Sequence, residues 1–129
     1  MRPLRWPALW LGIWVLMLAA VAIGSLLPAN DLPPLPLFAQ ADKLEHLLGY
    51  AVLGAWGALL FSRTRSLIGV TIALVAYGIA MEFAQALFTV DRQAEVLDAL
   101  ADAIGVALGL LLARSRHADL LLRVETWLG

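Results

Sequence analysis

The sequence predicts an all-α membrane protein, a four-transmembrane-helix bundle with both termini cytoplasmic. Three observations lead there. Hydrophobic residues make up 62% of the 129 and charged residues 15%, and the mean hydropathy of +0.85 lies outside the ordinary soluble range. The apolar residues fall in runs long enough to cross roughly 30 Å of hydrocarbon. The basic residues alternate by connection: Arg2, Arg5, Arg63, Arg65, Arg114, Arg116 and Arg123 fall on one side, Lys43 and Arg92 on the other, and the Lys- and Arg-rich side is the cytoplasmic one. A net charge of -1 provides no basic surface for nucleic acid. The absence of cysteine excludes disulfides, thiolate nucleophiles and Cys-ligated zinc.

The first helix is predicted over 7–27, because no charge occurs from Trp6 to Asn30. Trp6, Trp10 and Trp14, four residues apart, form an interfacial and packing stripe on it. A cleaved signal peptide is the rival reading, since Arg2 and Arg5 precede the apolar run and Ala20-Val21-Ala22 resembles a cleavage site. Four prolines between 28 and 36 then remove backbone donors and make a loop. The second helix covers 42–61 with Asp42 as its N-cap, the third covers 67–88 with Ser66 as cap, and the fourth covers 96–113. The cytoplasmic tail, 114–129, holds either a short amphipathic helix on the inner surface or a frayed end. The whole chain, 1–129, reads as a single membrane domain.

This topology puts the intramembrane polar groups at one depth. Asp42, Lys43, Glu45 and His46 open the second helix, Glu82 and Gln85 close the third, and Asp98 and Asp102 open the fourth. All three of these ends lie on the outer side. Ionisable groups are costly in a spanning helix and face an interior or an aqueous cavity, so His46, Glu82, Gln85, Arg92, Asp98 and Asp102 are expected to converge. Asp42, His46 and Tyr50 lie on one stripe that descends about 12 Å along the second helix, while Glu45 points away as a solvated charge. Asp98, Asp102, Gly105 and Gly109 share a face, and the glycines let another helix approach closely. Each polar residue also has a plain structural reading: Asp42 as a cap, Lys43 as a snorkelling anchor, His46 and Tyr50 as packing residues, the aspartates as interhelical glue.

Asp42-Lys43-x-x-His46-x-x-x-Tyr50, then Glu82-x-x-Gln85, Arg92 and Asp98, with Gly105 and Gly109 beyond, resembles the VanZ-like family of small membrane proteins. The resemblance covers about half the chain, from Asp42 to Gly109. Each motif alone is common, and the four in order are specific. The chain departs from the pattern at Asp102, where the family often has Asn. The resemblance implies a link to low-level resistance to teicoplanin-type glycopeptides, although many members occur without a resistance cluster.

Two functions from different classes compete. One is a site for an anionic, lipid-linked cell-envelope precursor at the outer face of a bacterial cytoplasmic membrane. In it His46, Glu82, Asp98 and Asp102 do acid–base work, while Asp42, Lys43, Tyr50, Gln85 and Arg92 bind the substrate. Arg92 keeps its charge and pairs with Asp98. Carboxylates outnumber cations, so a divalent ion bridging Glu82 or Asp98 to phosphate is a variant of this reading. No specific metal-ligand motif or cofactor signature is present. The other function is a non-catalytic scaffold that packs through the Gly105 and Gly109 face with itself or with envelope proteins. A proton-linked transporter ranks last, because four helices without an internal repeat provide little pathway.

Overall fold

The computed structural model describes residues 1–27, 41–90 and 93–129, and of 41 and 42 only the backbone. The predicted loop over 28–36 and Arg92 lie outside the described residues, as does the Asp42 side chain. Among the described residues there are five α-helices and no strand: α1 Pro7–Leu26, α2 Ala41–Leu60, α3 Thr64–Phe88, α4 Val96–Arg116 and α5 Leu120–Leu128. α1, α3 and α4 are each long and apolar enough to cross a membrane. α2 has comparable length at 20 residues, but its first two turns carry Asp42, Lys43, Glu45 and His46, which dilute its hydropathy.

Two predicted caps are corrected. α3 begins at Thr64 after Arg63, so Ser66 lies inside its first turn. The connection from α2 is only three residues long, which forces the new helix to start at once. Asp42 lies within α2 rather than before it. The fourth helix runs to Arg116, three residues beyond the expected end, because Arg114 and Arg116 suit the negative end of the helix dipole. The tail is a helix rather than a frayed end, and it buries Leu121 and Glu125.

Side-chain pairs give the directions of the helices. The Tyr77 hydroxyl donates to the Leu18 carbonyl at 2.6 Å and Gln85 Nε2 to the Ser25 carbonyl at 3.0 Å, so α1 and α3 are parallel. Trp14 Nε1 donates to the Leu53 carbonyl at 3.0 Å and Trp56 Nε1 to the Trp10 carbonyl at 3.1 Å, so α2 runs against α1. The tryptophan stripe thus packs inward with its N–H groups satisfied.

α2 and α4 run parallel and in register. A Cβ on Gly105 would meet the Leu47 carbonyl, and one on Gly109 the Ala51 carbonyl, while a Cβ on Gly54 would come within 2.6 Å of the Val106 carbonyl. Small residues let two backbones approach where lipid supplies no hydrophobic drive between helices. The Gly105 and Gly109 face is therefore occupied by the chain's own α2. Leu16, Ile72 and Leu111 are 65–70% exposed on α1, α3 and α4. That surface suits hydrocarbon rather than water.

At the arginine-rich end α5 folds back on the start of α1. Glu125 accepts from the Arg5 backbone N–H at 2.7 Å, the Trp6 backbone N–H at 2.9 Å and Trp10 Nε1 at 2.6 Å. It thereby caps donors that a helix start leaves open. Burial pushes the Glu125 carboxyl up, but these three donors and the Arg5 charge together outweigh it and hold the group below its ordinary value of 4.5. A depressed carboxylate contributes stability that is full above the unfolded value and lost as pH falls through the folded one. Hydrogen exchange of residues 120–128 is thus expected to accelerate on acidification below pH 4.5. In Glu125→Gln it should be fast at neutral pH and nearly pH-independent once intrinsic exchange is divided out. Equal protection of the variant and the wild type at pH 7 would remove Glu125 from this role.

Candidate functional site

The α2 and α4 register that seats Gly105 against Leu47 also decides what meets at their N-terminal ends. His46 Nδ1 lies 2.9 Å from Asp102 Oδ1, and one turn further out Lys43 Nζ lies 3.3 Å from Asp98 Oδ1. α3 arrives from the opposite direction and brings Glu82 Oε1 to 3.9 Å from His46 Nδ1. The other Glu82 oxygen accepts the Glu95 backbone N–H at 2.9 Å, and the Glu95 carboxylate accepts from Lys43 at 2.8 Å. Glu82, Asp98 and Asp102 are 4%, 6% and 1% exposed. Three helices distant in sequence thus place one imidazole and three carboxylates together.

The cluster is tightly framed. A Cβ on Gly78 would come within 2.7 Å of Asp102 Oδ2, so the glycine on α3 is what lets the carboxylate sit against that helix. His46 Nδ1 and Asp102 Oδ1 share one hydrogen bond, which does not use His46 Nε2. Glu82 Oε1, Asp98 Oδ1, Asp102 Oδ2 and the Tyr50 hydroxyl are buried without a hydrogen-bond partner among the described residues. Lys43 is close to Asp98 but not aligned for a hydrogen bond to that oxygen.

Two cavities flank the cluster. One, of about 160 Å³, lies between Val21, Gly24 and Ser25 of α1 and Glu45, His46, Gly49 and Tyr50 of α2, so Glu45, though exposed, borders the site rather than pointing away from it. The other, of about 280 Å³, lies between α3, the 94–95 segment and α4, against Glu82 and Glu95. The first borders His46 and the second Glu82.

The predicted site residues divide accordingly. His46, Glu82, Asp98, Asp102 and Lys43 come together, and Tyr50 lines the first cavity with its ring tilted against Tyr77 at 6.1 Å. Gln85 does not join them: it is buried and ties α3 to α1 through Ser25. The expected Arg92–Asp98 pair involves a residue outside the described ones, and the cation beside Asp98 is Lys43. Because Lys43 is held by Glu95 and Asp98, it is not poised as a phosphate clamp. Glu95 escaped the sequence reading, since its links to Glu82 and Lys43 span 13 and 52 residues and leave no local pattern. No family model, curated protein or solved structure matches the chain.

Proposed function

We propose that the chain is a VanZ-like multi-pass protein of a bacterial cytoplasmic membrane. In this reading α1 to α4 all span, both termini are cytoplasmic, and the polar cluster faces outward to take the headgroup of an anionic lipid-linked envelope molecule. The observation that carries the reading is the convergence of His46, Glu82, Asp98 and Asp102 at one end of the helices, opposite the end that holds seven arginines. α2 fits as a fourth span because its charges are confined to its outer turns, where Asp98, Asp102 and Glu95 meet them. His46, oriented by Asp102, is the group suited to take and return a proton. The link to glycopeptide resistance rests on the motif resemblance alone.

Reporter fusions and a binding measurement test this together. Fusions after Leu35 should report the periplasm, and fusions after Arg65 and Arg116 the cytoplasm. Protein in lipid nanodiscs is expected to bind polyprenyl diphosphate, with His46→Gln and Glu82→Gln each weakening it by about tenfold or more. An inverted topology, or no binding by correctly inserted protein, would defeat the reading.

A further inference from the structure

The charge balance of the cluster is uneven. Among the described side chains of the cluster, Glu82, Glu95, Asp98 and Asp102 face Lys43 and His46. Even with His46 charged, negative groups exceed positive ones by two in a partly desolvated place. Three of the buried carboxylates each keep an oxygen without a hydrogen bond among the described residues: Glu82 Oε1, Asp102 Oδ2 and Asp98 Oδ1, the last with Lys43 Nζ at 3.3 Å. Buried polar atoms are almost always satisfied, and an exception calls for a water, an ion or a function.

We infer that His46, Glu82 and Asp98 form a binding site for a divalent transition-metal cation of the zinc type. A ring nitrogen of His46 and one carboxylate oxygen each from Glu82 and Asp98 lie within 4.8 Å of one another. Ligands bound to zinc at about 2.1 Å stand roughly 3.4 Å apart in a tetrahedron, so side-chain rotations of about an ångström close the set. The neighbours are arranged for it. Asp102 meets the His46 ring at Nδ1, the nitrogen that also stands 3.9 Å from Glu82 Oε1, and the Glu95 amide fixes one Glu82 oxygen while the other stays open. An imidazole with two carboxylates favours zinc over magnesium, which prefers all-oxygen, largely hydrated sites. The two flanking cavities leave room for a further ligand on the metal.

The inference deepens the proposed site without depending on its ligand: a bound cation reverses the local charge that an anionic headgroup meets. Full-length protein, freed of any affinity tag and stripped with chelator in detergent, is to be titrated with Zn²⁺ and separately with Mg²⁺, with elemental analysis of the stoichiometry. One Zn²⁺ per chain is expected, with a rise in the thermal unfolding midpoint of the wild type and Mg²⁺ bound far more weakly. His46→Gln, Glu82→Gln and Asp98→Asn should each weaken Zn²⁺ binding by about a hundredfold, while His117→Gln, exposed at the arginine-rich end, should leave it unchanged. The unfolding midpoint of each stripped variant shows whether it is folded. Substoichiometric zinc in the wild type, or equal affinity in folded His46→Gln, would overturn the metal site. Diphosphate-lipid binding that survives chelation would overturn only the coupling of metal to headgroup, and zinc uptake without lipid binding would overturn only the lipid reading.

Discussion

Gly109→Leu is expected to abolish the α2–α4 interface and, with it, the folded protein. The Cβ alone falls on the Ala51 carbonyl, with the Ala55 amide nitrogen 2.8 Å away, and both are backbone atoms of a helix that has no slack. The helices must separate, and separation takes Leu47 off Gly105 and Gly54 off Val106 as well. Overpacking a tight contact typically costs about 1–3 kcal/mol, and a clash with helical backbone belongs at or above the top of that range. Since small-residue contact is a main source of association between helices in lipid, little remains to offset the loss. Gly69→Ala is the matched control, because nothing lies within 4 Å of its Cβ position, and in a helix it should be neutral or stabilising by a few tenths of a kcal/mol up to about 1 kcal/mol. Membrane abundance and thermal unfolding in detergent measure both. A Gly109→Leu protein as stable as Gly69→Ala would mean that α2 and α4 do not pack as described.

Lys43→Met is expected to be the second most damaging change, and Asp98→Asn to match it. Removing the ammonium takes from the Asp98 carboxylate, 8% exposed, the cation beside it among the described residues, while Lys43 itself is 23% exposed. Stranding a fully buried charge costs about 3–5 kcal/mol. The partial exposure of Lys43, and of Glu95 at 50%, lets water screen the pair and reduces the expected loss to about 1–3 kcal/mol. The double variant should be little worse than either single one, because both remove the same interaction. Unfolding midpoints of the three proteins at equal detergent concentration decide the matter. Strictly additive losses would show that Lys43 and Asp98 act separately.

Much of the helical layout was legible because the apolar runs of the first, third and fourth helices exceed what any soluble core requires, and the tryptophan and glycine stripes follow the helical repeat. The common depth of His46, Glu82, Asp98 and Asp102 was legible for the same reason: charges stand out against apolar runs. What escaped were partners. Nothing local in the sequence says that the parallel register of α2 and α4 brings Lys43 to Asp98 from 55 residues away. The glycine face was visible, but nothing local says that its partner is Ala51 of the same chain rather than a second protein. Gln85 lay at the right depth, yet its direction around α3 points to Ser25 on α1. The start of α3 at Thr64 depended on the shortness of a turn, which capping preference alone does not register.

The parallel pairing of α2 with α4 also orders events during synthesis. When α2 emerges from the ribosome, Lys43 and His46 have no carboxylate to meet, since Glu95 and Asp102 follow 52 and 56 residues later. Of the four long helices it is the least able to partition into lipid unaided, and it must wait, shallow or shielded by α1 or by the insertion machinery, until α4 is made. If α2 spans as proposed, its final seating is therefore a late, post-insertion event. A nascent chain halted before residue 98 should leave α2 accessible to water-borne reagents that the finished protein excludes.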